Sequence, residues 1–312
     1  MLNKKRIFIV GPTAVGKSAL GVRLAQAVHG AILSMDSMQI YRGMDIGTAK
    51  VTAAERGDVP HFLIDIQNPG DAFSVHDYQQ AAKRIQDALV ACDVVPLYVG
   101  GTGLYLDAMV RDFQFHETPP QPALRKALEK RYDADEGRDL YAELQRRDPE
   151  LAKKLTPKDR PRLIRAHEVL AQRENTVSLA TSADGPDAAW ENLIFVLHRP
   201  RQALYRAIDQ RVQSMLEAGL INEVNALVQS GVPREAQAMR AIGYRETLWY
   251  LRGLINRREL KELIQRFSRN YAKRQLTWFR KTPKAIWLDV EDDVYPEMLA
   301  ITRRFLSEPS DQ

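Results

Sequence analysis

The sequence begins with a strand pattern, a glycine-rich loop and a helix pattern in immediate succession. Residues 6–10 are mostly β-branched or aromatic, residues 11–18 read GPTAVGKS, and apolar residues recur at helical spacing from residue 20 onward. This order is typical of a phosphate-binding loop, in which backbone N–H groups point at phosphate oxygens at the positive end of a helix. The segment therefore predicts an α/β fold that holds a phosphate group at the start of its first helix.

The loop residues suit different parts of that task. Gly11 and Gly16 allow the backbone N–H groups to turn inward, Lys17 supplies a positive charge, and the Ser18 hydroxyl can ligate Mg²⁺. A nucleotide and a prenyl diphosphate present the same anion, so the loop alone does not distinguish them. The predicted phosphate-binding residues are Gly11, Pro12, Thr13, Ala14, Val15, Gly16, Lys17 and Ser18, with Ser18 as the metal ligand.

Two further strand patterns end in polar segments. Residues 31–35 form a buried strand pattern followed by Asp36, and residues 94–99 form another followed by the sequence GGTGLY, which contains Thr102. Open α/β sheets bind their ligands at the carboxyl ends of the strands. We therefore expect Asp36 and the Thr102 hydroxyl to lie at the same edge of the sheet as the phosphate-binding loop.

Strand and helix patterns alternate through the first 110 residues, which indicates a parallel sheet covered by helices. In chain order these patterns lie near residues 5–10, 17–29, 31–35, 61–66, 74–92, 94–99 and 102–110. A proline-rich linker at 118–122 precedes charged helix patterns, and a loop at 182–187 precedes a return to the sheet at 193–197; a last strand pattern covers 285–290. We predict a phosphate-loop NTPase-like α/β core of residues 1–112 and 190–312 with basic C-terminal helices, and a small all-helical insertion domain of residues 113–189.

Composition limits the class of protein further. The chain has 312 residues, 27% of them charged, and a single cysteine, Cys92, which excludes an internal disulfide and a cysteine-based zinc site. The N-terminal apolar run is too short for a signal peptide, and no segment approaches the length of a membrane span. We expect a cytoplasmic protein that does not contact a membrane and that acts as a monomer.

Basic residues are concentrated near the C-terminus. The formal net charge is +5, yet residues 240–284 contain 13 Lys or Arg against three Glu. The helix pattern over residues 259–281 has an apolar face that includes Tyr271 and Trp278. One interpretation is an ordinary amphipathic helix whose charged face contacts only solvent. The other is a surface that binds a nucleic-acid backbone, and it is favoured because nearly all charges on this face are positive. The basic face consists of Arg266, Arg269, Lys273 and Arg280.

Five motifs together resemble the tRNA dimethylallyltransferases, also called isopentenyl-tRNA transferases, in their bacterial form. They are residues 11–18, residues 36–41 (DSMQIY) with 47–50 (GTAK), residues 100–105 (GGTGLY), residues 240–245 (RAIGYR) and residues 271–280 (YAKRQLTWFR). The five motifs occur in the same order as in this family and together span nearly the whole chain. Ser18 stands where many members of this family have Thr, which is a chemically equivalent hydroxyl.

The resemblance implies transfer of a dimethylallyl group from dimethylallyl diphosphate to the exocyclic amine of the adenosine immediately 3′ of the anticodon. The phosphate-binding loop would then hold the prenyl diphosphate with Mg²⁺, and the partner would be a tRNA anticodon stem-loop. Asp36 would be the general base and Thr102 would orient the amine or bind diphosphate. Alternatively, Asp36 only caps the following turn or ligates Mg²⁺ through water, and Thr102 is a structural turn residue. Asp65 could serve a metal ion indirectly or be a buried residue at a strand end.

The resemblance also suggests which residues contact tRNA, and it adds a second basic patch at residues 160–166. The predicted tRNA-binding residues are Asp36, Ser37, Met38, Gln39, Thr102, Arg160, Pro161, Arg162, Leu163, Ile164, Arg240, Arg245, Arg269, Lys273, Arg274 and Arg280.

Two other classes of function remain compatible with the phosphate-binding loop. The first is a small-molecule kinase in which the insertion acts as a lid and Asp36 activates a hydroxyl, although a small metabolite would not require the basic C-terminal helix. The second is an RNA-binding module that uses a nucleotide only as a structural switch. Release of diphosphate from dimethylallyl diphosphate, release of ADP from ATP, and tRNA binding without a covalent product distinguish the three.

Overall fold

The computed structural model describes residues 4–111, 113, 121–173 and 190–309 of the chain. Within these residues, six strands form one sheet in the order β3-β2-β4-β1-β5-β6, and every neighbouring pair is parallel. The strands are β1 (Lys5–Val10), β2 (Gly30–Met35), β3 (His61–Phe62), β4 (Val95–Gly100), β5 (Glu191–His198) and β6 (Ile286–Asp289). The predicted α/β class with a helix-covered parallel sheet is confirmed.

Alternate residues of β1 face the two sides of this sheet, as a period of two requires. Ile7 and Ile9 pack into one apolar cluster, and Phe8 and Val10 pack into a second. All six residues of β1 are buried, which is typical of a central strand in a parallel sheet.

Helices cover the sheet and extend beyond it. The helices of the sheet-containing part are α1 (Lys17–Ala27), α2 (Ala53–Arg56), α3 (Val75–Ala91), α4 (Gly103–Val110), α9 (Arg201–Glu217), α10 (Leu220–Gln229), α11 (Tyr244–Leu251), α12 (Arg257–Phe279) and α13 (Tyr295–Ser307), with a 3₁₀ turn at Ala238–Arg240. A third apolar cluster joins α9 to α12 with residues of the loop after β2, such as Ile40 and Met44. The long helix α12 therefore packs beside the loops at the carboxyl edge of the sheet.

The third strand is shorter than its pattern predicts. The sequence indicated a strand over residues 61–66, but β3 ends at Phe62. Leu63 and Asp65 both have positive φ angles, 62° and 55°, which lie outside the β region and end the extended conformation.

The chain divides into two compact units, Met1–Asp112 with Gly185–Gln312 and Phe113–Asp184. In the second unit the described residues form only helices: α5 (Pro122–Asp135), α6 (Arg138–Arg147), α7 (Pro149–Ala152) and α8 (Arg160–Arg173). Their core contains Leu128, Leu140 and Leu144. Residues 112 and 189, at the predicted limits of the insertion, lie outside the described part of the chain. The same holds for residues 118–120 of the predicted linker and for the whole loop at 182–187.

Candidate active site

Three of the predicted segments meet at the carboxyl edge of the sheet. Gly100 at the end of β4 pairs with Val10 of β1 on one side and with Met35 of β2 on the other. The phosphate-binding loop follows Val10, Asp36 follows Met35, and Thr102 follows Gly100 after one residue. Because neighbouring parallel strands end together, the chain brings these segments together without a long-range loop.

Lys17 begins α1, and its side chain turns back toward its own loop. Its Nζ atom donates a hydrogen bond to the Pro12 carbonyl at 2.7 Å. Burial and the positive charge of Arg211 lower the pKa of Lys17 to about 7, although Asp36 acts in the opposite direction. Ser18 is exposed at the same helix end. Binding of an anion can therefore shift Lys17 fully to its protonated, positively charged form.

One amide of the loop is already engaged. The Thr13 N–H donates to Gln275 Oε1 of α12 at 2.9 Å, and Gln275 Nε2 donates to the Gly101 carbonyl at 2.9 Å. A Cβ atom at Gly101 would lie 2.3 Å from Gln275 Nε2, so only glycine admits this bridge. Gln275, which was not predicted from the sequence as a site residue, joins the phosphate-binding loop to the turn that carries Thr102.

Asp36 caps the turn that follows it. Its Oδ1 atom accepts hydrogen bonds from the backbone N–H groups of Met38 at 2.8 Å and Gln39 at 3.4 Å. Its Oδ2 atom has no hydrogen-bond partner among the described residues. The capping interpretation of Asp36 therefore describes one oxygen of the carboxylate, and the second oxygen stays available to a ligand.

Thr102 and Tyr271 lie beside this carboxylate. The Thr102 hydroxyl accepts a hydrogen bond from the Ser37 N–H at 3.2 Å. Burial first, and then the negative charge of Asp36, raise the pKa of Tyr271, while a hydrogen bond with Thr102 acts in the opposite direction. The sequence placed Tyr271 on the apolar face of α12 and in the motif at residues 271–280, so its contact with Thr102 is new information from the structure.

A cavity of about 330 Å³ opens in front of Asp36 and Tyr271. Its polar wall includes Thr13, Asp36 and Thr48, and cations project from Arg211, Arg240 and Arg274. Its apolar wall is formed by Met38, Ile208, Val212, Met215, Ala241, Ile242 and Ile264. The cavity thus combines one carboxylate, several cations and an apolar surface.

Arg211 is the cation that the sequence analysis missed. It shares one face of α9 with Ile208, Val212 and Met215, and its guanidinium donates to the Thr48 carbonyl at 3.0 Å. Burial lowers the pKa of Arg211, and Asp36 raises it. An arginine on an otherwise apolar helix face was the signal that the sequence offered, because a buried arginine requires a charged partner.

The segment after Asp36 divides between the cavity and internal contacts. Ser37 and Met38 line the cavity. Gln39 instead makes internal hydrogen bonds, with its Oε1 accepting from Ser34 Oγ at 3.2 Å and its Nε2 donating to the Thr48 carbonyl at 3.3 Å. The contact of Gln39 with tRNA stays a prediction, and in this structure the polar atoms of its side chain hold the loop together.

The predicted basic surface of α12 is partly neutralised. Arg269 forms an ion pair with Asp209 at 2.8 Å, whereas Lys273 and Arg280 are exposed. Trp278, predicted on the apolar face, is 40% exposed, and its indole N–H donates to Asp107 at 3.1 Å. Lys273, Trp278 and Asp107 belong to a second cavity of about 700 Å³, whose lining residues are Asp107, Arg111, Asn270, Lys273, Arg274, Thr277, Trp278 and Lys281.

The two arginines of the predicted segment 240–245 have different surroundings. Arg240 is exposed and lines the first cavity. The Arg245 Nε atom donates to Glu246 at 2.8 Å, and its guanidinium lies over the ring of Phe267 at 4.8 Å. Arg240 is thus accessible to an anionic ligand, while the charge of Arg245 is balanced by a buried glutamate.

The second unit requires one correction. Leu163 and Ile164, predicted to bind tRNA, are 0% and 2% exposed and belong to the core of this unit. Apolar side chains on the inner face of α8 pack against α5 and α6, so they do not form an RNA surface. Pro161 and Arg162 are exposed, and Arg160 pairs with Asp133 at 3.1 Å.

Among the described residues, no group of three or more His, Cys, Asp or Glu side chains could hold a metal ion. Asp65 forms an ion pair with the buried Lys50 at 2.6 Å, which assigns it a structural partner. A metal ion here would rest on the Ser18 hydroxyl, substrate phosphates and water, a donor set that suits Mg²⁺.

Comparison with known families identifies this constellation. Residues 39–282 match the model of the IPP transferases, and residues 5–69 match that of the isopentenyl transferases. The chain belongs to the IPP transferase family. Among the family's relatives, a tRNA dimethylallyltransferase of an Exiguobacterium species is 44% identical, over 91% of this chain and 90% of the relative. The tRNA dimethylallyltransferase of Bacillus subtilis is 39% identical, over 94% and 93%.

Solved structures agree with this assignment. The tRNA isopentenylpyrophosphate transferase of Bacillus halodurans is 37% identical, with a TM-score of 0.74 and coverage of 97% of both chains. A eukaryotic dimethylallyltransferase acting on tRNA is 25% identical, with a TM-score of 0.80 over 99% of this chain and 81% of the other. The described residues of this IPP transferase family member contain no helix that could cross a membrane.

Proposed function

We propose that the chain transfers the dimethylallyl group of dimethylallyl diphosphate to the exocyclic amine of the adenosine immediately 3′ of the anticodon in a subset of tRNAs. The observation that carries the proposal is the shared cavity of Asp36 and Arg211. One wall of that cavity suits a carboxylate-dependent proton transfer, another suits an anion, and the remaining wall suits an isoprenoid.

At the allylic carbon the reaction forms one bond and breaks one, and a proton transfer accompanies this exchange. The adenine amine attacks the allylic carbon, the bond from that carbon to the diphosphate oxygen breaks, and diphosphate leaves with the bonding electron pair. The amine loses a proton as it becomes a secondary amine, and we assign that proton to Asp36 Oδ2. Thr102, whose hydroxyl lies next to Ser37 and Tyr271, orients the amine.

The developing negative charge on diphosphate requires cations that are already in position. We assign this role to Lys17, Arg211 and the N–H groups of residues 14–16, because the Thr13 N–H is engaged by Gln275. Mg²⁺ would be held by Ser18 and the phosphate oxygens, and it would neutralise charge on the leaving group. The loop thus serves a prenyl diphosphate in this proposal, although its pattern is also found in nucleotide-binding proteins.

For the tRNA partner we propose the anticodon stem-loop. The exposed cations Arg240, Lys273 and Arg280 suit its phosphate backbone, Arg274 lines both cavities, and Arg162 with Pro161 supplies a second patch. The target base must leave its stack to reach Asp36, as bases do in other enzymes that modify them. We further propose that the enzyme acts as a monomer and, because its proposed substrate is tRNA, in the cytoplasm.

A direct assay separates this function from the kinase alternative. Purified protein is incubated with Mg²⁺ and tRNA, once with radiolabelled dimethylallyl diphosphate and once with ATP. We expect diphosphate release that depends on tRNA, without ADP release from ATP. Release of ADP together with inert dimethylallyl diphosphate would favour a kinase, and tRNA binding without either product would favour an RNA-binding module.

A further inference from the structure

We propose that Glu223, on α10, is a positioning residue for the diphosphate half of the active site. Glu223 does not line the cavity. It acts on the loop of residues 45–48, whose last two residues, Gly47 and Thr48, line the cavity. This inference rests on the proposed function, since it concerns how the same site holds its prenyl diphosphate.

A single carboxylate holds three consecutive backbone amides of this loop. Glu223 Oε2 accepts from the N–H groups of Asp45 at 2.9 Å and Ile46 at 2.7 Å, and Oε1 accepts from Gly47 at 3.1 Å. The Tyr244 hydroxyl donates to the same Oε1 atom at 2.6 Å. Three hydrogen bonds from the loop and one from Tyr244 therefore end on this side chain, and bonds to a carboxylate are stronger than bonds between neutral groups.

Tyr244 also sets the distance between the helices and the loop. Its side chain is fully buried, and burial followed by the charge of Glu223 raises its pKa, so the phenol keeps its proton and remains a donor. A Cβ atom at Gly47 would lie 2.4 Å from the Tyr244 ring. The absence of a side chain at Gly47 lets the loop backbone lie directly against this ring.

Thr48, the next residue of the loop, connects these contacts to the site. The Thr48 carbonyl accepts from the Arg211 guanidinium at 3.0 Å and from Gln39 Nε2 at 3.3 Å. Thr48 and Gly47 both line the cavity. A displacement of residues 45–47 therefore moves the acceptor that orients Arg211, the cation proposed to bind the leaving diphosphate.

Lys50 supports the other end of the loop and does not duplicate Glu223. Its Nζ atom contacts the side chains of Asp45 and Asp65 at 2.6 Å each and the Tyr41 carbonyl at 2.9 Å. These contacts fix side chains and the loop's base, whereas Glu223 holds the backbone directly before Thr48. Loss of Glu223 leaves Lys50 in place, so we expect a local shift of the loop and no general unfolding.

The test is Glu223→Gln, which keeps the size of the side chain but replaces one acceptor oxygen by a donor. We expect the dissociation constant for dimethylallyl diphosphate, measured by calorimetry with Mg²⁺ and without tRNA, to rise roughly tenfold, because bonds to charged groups are the stronger class. The KM for dimethylallyl diphosphate should rise with it, while tRNA affinity stays unchanged. Binding without tRNA is measurable even if the proposed reaction is wrong, so the two failures are distinguishable.

Val224→Ala is the matched control. Val224 is the adjacent residue of α10, is fully buried in the apolar cluster and does not line the cavity. We expect it to lower the melting temperature without changing the dissociation constant for dimethylallyl diphosphate. If Glu223→Gln and Val224→Ala both lose stability and both keep wild-type affinity, Glu223 is only structural and the proposal is overturned.

A double-mutant cycle tests the route through Arg211. Arg211→Lys removes the guanidinium, and Glu223→Gln removes the contacts that orient it. In the double variant we therefore expect Glu223→Gln to add little to the affinity loss that Arg211→Lys causes alone. Full additivity would contradict the route. If Glu223→Gln does not fold, Tyr244→Phe decides the question: it removes one of the four bonds and should weaken diphosphate binding by a smaller factor, and unchanged affinity would overturn the proposal.

Discussion

The affinity of the chain for dimethylallyl diphosphate should depend on pH through Lys17. Burial and the charge of Arg211 lower the pKa of Lys17 to about 7, so half of the free protein carries a neutral lysine at that pH. The bound diphosphate favours the ammonium form. Binding above pH 7 therefore takes up a proton, and affinity is lost as the pH rises through the pKa of the free protein.

The size of the effect follows from the protonated fraction. If only the ammonium form binds, this fraction falls from about one half at pH 7 to about 1% at pH 9, which lowers the association constant roughly 50-fold. The ligand contributes little, because the second pKa of a phosphate group is about 6. Calorimetry at pH 8 in two buffers with different ionisation enthalpies should detect uptake of about 0.9 proton per ligand bound.

Lys17→Arg is the control for this titration, since a guanidinium remains charged throughout the range. We expect the variant to bind with an affinity that does not change between pH 7 and pH 9. Wild-type affinity that is equally constant over this range, with no proton uptake, would refute the argument that Lys17 is neutralised in the free site.

Three further predictions concern the base, the RNA surface and the target nucleotide. Asp36→Asn should lower kcat by about 10²- to 10⁴-fold with tRNA affinity little changed, and near-normal turnover would exclude the general-base role. Replacement of Lys273 and Arg280 by Gln should flatten the salt dependence of tRNA binding by about 0.7 to 0.9 units of log–log slope for each phosphate that the protein no longer neutralises, and an unchanged slope would show that this face is only solvated. A tRNA with 2-aminopurine at the target position, which lacks the reacting amine and fluoresces more when unstacked, should bind, brighten without dimethylallyl diphosphate and remain unmodified; tight binding without brightening would argue against base extrusion.

The local parts of the site could be predicted from the sequence because neighbouring parallel strands determine them. The loop after β1, Asp36 after β2 and Thr102 after β4 each follow a strand end, and the sheet order makes those ends adjacent. The helical pattern of α12 was also predicted, with Tyr271 assigned to its apolar face. The extent of β3 was not, since the left-handed conformations of Leu63 and Asp65 leave no clear signal in composition.

The parts that the sequence did not reveal depend on how distant helices pack. Arg211 on α9 and Gln275 on α12 bond to Thr48 and Gly101, which lie 163 and 174 residues earlier in the chain. Their local patterns resemble ordinary amphipathic helices. Leu163 and Ile164 illustrate the opposite error, since a motif that resembles an RNA-contacting segment also contains the apolar residues of its own helix core. Motif resemblance thus located the segments, and side-chain burial distinguished the accessible residues within them.

The most direct test of the proposed reaction is mass spectrometry of tRNA nucleosides. tRNA lacking the modification is incubated with the protein, dimethylallyl diphosphate and Mg²⁺, then digested to nucleosides, while a parallel digest to oligonucleotides locates any added mass. We predict one dimethylallyl group on the exocyclic amine of the adenosine 3′ of the anticodon, formed with wild-type protein and nearly absent with Asp36→Asn. Unmodified adenosine with fully folded wild-type protein, or a dimethylallyl group on another nucleotide, would contradict it.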